Sequence, residues 1–79
     1  MNDIDVKIID IVKRAGGVNV PYGLVYKELG FEDGNDRKFA RTVIRKYCKE
    51  KKGYREGYPD LFLITKDPNN LTHRLITLK

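Results

Sequence analysis

Apolar residues near the start of the chain recur at Ile4, Ile8, Ile11, Val12 and Ala15, steps of mostly three and four that align them on one side of a helix. The spacing predicts a helix from about Asp3 to Ala15. Asn2 or Asp3 stands where a cap is needed. Asp3 and Asp5 suit the positive end of the helix dipole, and Lys13 and Arg14 suit the negative end. Gly16-Gly17 closes the helix, because glycine takes the left-handed conformation without steric cost. Val6 and Ile9 fall off the main apolar face and are expected either to widen the core or to form a dimer contact.

The period then shortens. Val18-Asn19-Val20 alternates apolar and polar, as a very short strand does. Pro21 suits the first turn of a second helix, which is expected to reach Leu29 with Leu24, Val25 and Leu29 inward and Gly30 as its stop. Gly23 inside that helix costs about 1 kcal/mol relative to alanine, and close helix packing is one reason to keep it. Tyr22 and Tyr26 are readable either as core residues or as phosphate donors. A turn follows over Gly30–Asn35, with Phe31 turned into the core and Asp33 or Asn35 as the next cap.

The longest amphipathic stretch is Asp36 to Lys52. Phe39, Ala40, Val43, Ile44, Tyr47 and Cys48 recur as a buried stripe, whereas Arg37, Lys38, Arg41, Arg45, Lys46, Lys49 and Lys52 fall mostly on the opposite arc, with Thr42 among them. One side is built for a core and the other for a negatively charged partner. Beyond Gly53 the helical period is lost. Tyr54 to Asp60 reads as a loop, Leu61–Thr65 as a strand, Lys66–Asn70 as a turn and Leu71–Leu78 as a second strand, so that the last two strands make an antiparallel hairpin.

Charge sharpens this pattern. The chain has 79 residues and a net charge of +5. Residues 1–36 carry four basic against seven acidic side chains, and residues 37–79 carry twelve against four. Such asymmetry points to a polyanion partner, although a solvated basic surface also explains any one of these charges. The length suits one domain, no apolar run is long enough for a membrane span, and the acidic residues after Met1 do not form the basic start of a signal peptide. One cysteine, Cys48, forms no internal disulfide, which favours a reducing, intracellular (cytoplasmic) setting. His73 and Cys48 make no metal set, no phosphate-binding glycine loop is present, and no constellation supports an enzyme or a cofactor.

The element order α-β-α-α-β-β, the length and the basic third helix together resemble the winged helix-turn-helix family of DNA-binding domains, over nearly the whole chain from Asp3 to Leu78. Small stand-alone domains of this kind are similar to regulators carried by archaeal viruses and plasmids. The Gly30–Asn35 turn is longer than the tight turn of the prototype motif. The resemblance implies an α+β fold in which the third helix enters the major groove of double-stranded DNA and the hairpin forms a wing. On that reading Asn35, Arg37, Arg41, Thr42 and Arg45 are offered to base edges, with Arg37, Arg41 and Thr42 foremost. Lys38, Lys46, Lys49 and Lys52 are offered to phosphates, and Lys66, Asn69, Asn70, His73 and Arg74 belong to the wing. The leading expectation is a sequence-specific transcription regulator, with a homodimer as a natural partner form. The alternatives are a non-specific, architectural, replication-associated or RNA-binding protein, and a winged-helix module that binds an acidic protein.

Overall fold

In the computed structural model, which describes residues 2–79, the first helix is α1 (Asp3–Arg14) and buries Ile8, Ile11 and Val12 on one face. Asn2 is its cap residue but makes no side-chain bond there. The helix stops one residue earlier than its apolar pattern suggests: Ala15 is the closing residue and is exposed. Asp5, expected to serve only the helix dipole, is instead buried and accepts a hydrogen bond from the Tyr47 hydroxyl. Gly16, Gly17 and Asn19 all adopt positive φ (103°, 73° and 51°), so the chain turns sharply after α1. That turn leaves Val18 exposed and outside any strand, and shortens the first strand, β1, to Val20–Pro21.

Pro21 is both the end of β1 and the cap residue of the second helix, α2 (Tyr22–Leu29). Tyr22 and Val25 are its buried residues, and Gly30 closes it in the left-handed conformation at φ 73°. A Cβ placed on Gly23 would meet no atom within 4 Å, so close packing is not the reason for that glycine. The turn between α2 and the third helix, α3 (Gly34–Lys46), is Gly30–Asp33, four residues, which is as tight as the prototype motif. Asp33 caps α3 by accepting from the Asn35 amide at 3.3 Å, and Asn35 belongs to the first helical turn.

The third helix does not extend to Lys52. It ends at Lys46, with Tyr47 as the closing residue. Two forces stop it. After Cys48 the run Lys49–Gly53 contains no apolar residue to continue the buried stripe. The Tyr47 carbonyl is also claimed by the returning chain, accepting from the Leu61 and Phe62 amides at 2.8 and 3.0 Å. Residues 47–61 form a folded loop instead. Its turns are closed by backbone bonds such as Arg55 N–H to Lys46 C=O and by Tyr54 Oη donating to the Tyr58 carbonyl at 2.6 Å. Phe39, expected inside, is 50% exposed. At about 100° per residue it lies roughly a quarter turn from the centre of the arc made by Ala40, Val43 and Ile44.

The hairpin is longer than its sequence pattern suggests. Strand β2 spans Phe62–Asp67 and β3 spans Asn70–Leu78, leaving only Pro68-Asn69 as the turn. Both neighbours of β3 are antiparallel to it, in the order β1-β3-β2, with a register shift at Lys66/Asp67. Val20, Ile76 and Ile64 form one row across all three strands and are all buried. That row, with Phe62, closes the core over α1–α3, where Tyr47, Ile8, Ile44, Val12, Val25 and Cys48 are almost solvent-free. The molecule is thus α+β, three helices against a three-stranded antiparallel sheet. No helix among the described residues is long and apolar enough to cross a membrane.

Candidate nucleic-acid interface

The core-facing residues of α3 fix the direction of everything else on that helix. With Ala40, Val43 and Ile44 inward, Asn35, Lys38 and Thr42 face away from the molecule and are exposed. Thr42 donates its hydroxyl to the Lys38 carbonyl at 3.0 Å, which leaves its oxygen lone pairs outward.

Arg37 and Arg41 sit one turn apart on the flank of α3 that meets α2. Tyr26 receives both. The Arg37 guanidinium lies 5.4 Å from the centre of the Tyr26 ring, and its Nε donates to the Phe31 carbonyl at 3.1 Å. The Arg41 Nη1 donates to the Tyr26 hydroxyl at 3.3 Å. These two side chains therefore do not share a face with Thr42; they are drawn back over α2. Tyr26 in turn meets Tyr22 edge to face, with centroids 6.1 Å apart. Burial, and secondarily the Tyr26 hydroxyl nearby, pushes the Tyr22 phenol up to about 12.

Across from α3 stands the hairpin. A cleft of about 570 Å³ opens between them, with Tyr22 and Tyr26 on one wall, Arg37 and Arg41 on another, and Asp67, His73 and Arg74 from the hairpin. A second hollow of about 290 Å³ shares Tyr22, Arg41 and Arg74 and adds Arg45 and Lys51. The two adjoin at these shared residues, and Arg37, Arg41, Arg45, Lys51 and Arg74 line them as a cationic trough from three separate parts of the chain. Arg74 is held in place by donating to the Leu71 carbonyl at 2.8 Å. Arg45 is covered on one side by Gly53, where a Cβ would come within 3.1 Å of the Arg45 Cβ. Among the described residues, ion pairs join Asp10 to Arg14 and Lys79 to Glu50 and Asp60, so no cation of the trough is paired with a carboxylate.

The remaining sequence-predicted residues are scattered. Lys46 is the last residue of α3 and half-buried. Lys49 and Lys52 are exposed but lie in the loop beyond the helix, where the Lys49 amide donates to Asp60 Oδ1 at 2.9 Å. Lys66 pairs with Arg74 across the hairpin. Asn69 and Asn70 shape its tip: the Asn69 amide donates to Asp67 Oδ1, and Asn70 Oδ1 accepts from Thr72 Oγ1 at 2.7 Å. His73 Nε2 stands 3.5 Å from Asn70 Nδ2. Two residues of this region have no such place in the sequence pattern: Lys51 is one of several lysines after the apolar stripe, and Tyr26 is readable either as a core residue or as a phosphate donor; the loop's path and the tilt of Arg37 and Arg41 give them their place. Among the described residues no three of His, Cys, Asp and Glu gather as metal ligands.

Comparison with known proteins brings no relative: no family model matches the chain, and neither a curated protein nor a solved structure matches it.

Proposed function

We propose that this chain is a winged helix-turn-helix domain that binds double-stranded DNA and acts as a sequence-specific transcription regulator. In this reading α2, the four-residue turn and α3 are the helix-turn-helix, and the β2–β3 hairpin is the wing. The observation that carries it is the unpaired cationic trough beside the exposed face of α3. Five cations without a salt-bridge partner, against the single carboxylate Asp67 on the same lining, repel one another along the trough, and a row of phosphates relieves that repulsion while releasing its own counterions.

The geometry supports a changed division of labour. Asn35, Lys38 and Thr42 enter the major groove, which admits one helix, and meet base edges. Arg37, Arg41 and Arg45 on the flank of α3, with Lys51 and Arg74 across from them, grip the adjoining backbone, because their side chains line the trough. Phosphate contacts of this kind set register, whereas the base-facing residues set preference.

Binding-site selection on randomised duplex, followed by competition between the selected and a scrambled duplex, tests this. The selected duplex is expected to bind roughly 10³-fold more tightly or better. Affinity is expected to fall with salt by about 0.9 log unit per log unit for each phosphate neutralised. Equal competition by scrambled duplex replaces the regulator with a non-specific or architectural binder. No duplex binding at low salt removes DNA as the partner and leaves an acidic protein.

A further inference from the structure

We infer that two copies of this chain associate through the outward face of α1, packed antiparallel about a two-fold axis that crosses the helix between Val6 and Ile9. Asp3, Val6, Asp10 and Lys13 are spaced by three and four residues and so form one stripe on α1, opposite the buried Ile8, Ile11 and Val12. Val6 is 53% exposed on this stripe. Beside it Ile9, Leu61 and Leu78 line an open groove of about 510 Å³ between α1 and the ends of the sheet strands. An apolar strip on an otherwise charged helix loses contact with water only if something covers it.

The charges on the stripe say what covers it. Asp3 lies at one end and Lys13 at the other, and among the described residues neither is paired within its own chain. Asp10 is already matched to Arg14 at 2.8 Å. In a two-fold contact residue i meets j and j meets i. An antiparallel α1 pair with Val6 against Ile9 of the second copy brings Asp3 to within one residue of the level of Lys13, about 1.5 Å along the axis, twice. It also sets each helix's positive end beside the other's negative end. A parallel pair would set Asp3 against Asp3 and Lys13 against Lys13. The face is thus complementary to itself, whereas a wholly acidic or wholly basic partner would meet a like charge at one end. The strip is narrow compared with a standard interface of about 1,600 Å², so the dimer is concentration-dependent and not obligate.

Sedimentation equilibrium in low salt, from roughly 1 µM to 1 mM protein, tests this. Wild type is expected to follow a monomer–dimer equilibrium. Val6→Asp is expected to weaken it at least tenfold while circular dichroism melting shows the fold intact. Asp3→Lys and Lys13→Asp are each expected to weaken dimerisation, and the double variant to recover it. That recovery separates pairing across the axis from a general loss of helix stability, because the double variant still opposes its own helix dipole. A wild-type chain that stays monomeric throughout overturns the inference. So does a Val6→Asp variant that dimerises like wild type, or a double variant no better than the single ones. The measurement contains no nucleic acid, so its failure and the failure of the DNA reading are told apart.

Discussion

Replacing Tyr47 by phenylalanine removes one hydroxyl and strands a carboxylate. Asp5 is 5% exposed and Tyr47 is 1% exposed, and the hydroxyl of one is bound to the carboxylate of the other. Burial, reinforced by the bond to Asp5, pushes the Tyr47 phenol upward. Tyr47→Phe is therefore expected to cost about 1–3 kcal/mol in a urea unfolding experiment, the penalty for a buried polar group left without its partner. Combining it with Asp5→Leu is expected to recover part of that loss; strictly additive losses would mean that the two side chains do not act as a pair. This bond spans 42 residues and was illegible in the sequence, where Asp5 had a sufficient local role in the first turn of a helix. Tyr26 makes the same point in the interface. Its ring and hydroxyl hold Arg37 and Arg41, so on the proposed reading it acts on DNA only through them. Arg41→Ala is expected to weaken selected and scrambled duplexes alike and to lower the salt slope by about 1. Tyr26→Phe is expected to weaken both by less than about 1 kcal/mol without changing the slope, since the charge remains. A loss confined to the selected duplex in Arg41→Ala would return that residue to base reading.

Two glycines in and after α2 test whether the element's propensities or its packing govern it. Gly30 closes the helix at φ 73°, a conformation that costs an L-residue roughly 1–2 kcal/mol. Gly23 lies within the helix with open space where a Cβ would stand. Gly30→Ala is thus expected to lower stability by about 1 kcal/mol, and Gly23→Ala to raise it by about 0.5–1 kcal/mol, both read from thermal melting. A loss at Gly23 would mean that something packs there which the free chain does not show, and Gly23 does line the cationic cleft. The same contrast explains which elements were legible. The glycine stops, the Asp33 cap and the strand composition act locally, so α1, α2, the start of α3 and the hairpin follow from neighbouring residues. The end of α3 does not. Tyr47 and Cys48 continue the helical stripe and are buried as expected, but the helix has stopped because residues 61 and 62 take the Tyr47 carbonyl. A bond to a strand fifteen positions away leaves no periodic signal. The consequence reaches the candidate site: Lys49 and Lys52 leave the helix face, and Lys51 is carried into the trough by the loop.

At the scale of the whole molecule, the ionisable groups that hold it together mark out the pH range in which it is stable. On the acid side, Glu50 and Asp60 both accept from Lys79 Nζ, at 3.0 and 2.8 Å, and those bonds hold both carboxyls below their ordinary range. A carboxyl with a lowered folded value stabilises the fold at pH values above its unfolded value and ceases to do so as pH falls through the folded one. The acid limb therefore begins near the usual carboxylate values, around pH 4, and this surface contribution is small and weakened by salt. On the alkaline side the sign is reversed. Tyr22 is held up to about 12 by burial, Tyr47 is raised by burial and by Asp5, and Lys79 is raised by its two carboxylates. Each binds its proton more tightly folded than unfolded, so each contributes fully below about pH 10 and loses its contribution as pH climbs through the folded value. Melting temperature is expected to be flat from about pH 5 to 9, to fall gently in acid and to fall steeply between about pH 10 and 12. Tyr22→Phe has no proton to lose and is expected to make the alkaline fall shallower while leaving the acid limb alone; Lys79→Ala is expected to flatten the acid limb. Circular dichroism melts of the three proteins across this range decide it. An alkaline limb in Tyr22→Phe identical to wild type would show that the Tyr22 phenol holds its proton no more tightly in the folded chain than in the unfolded one.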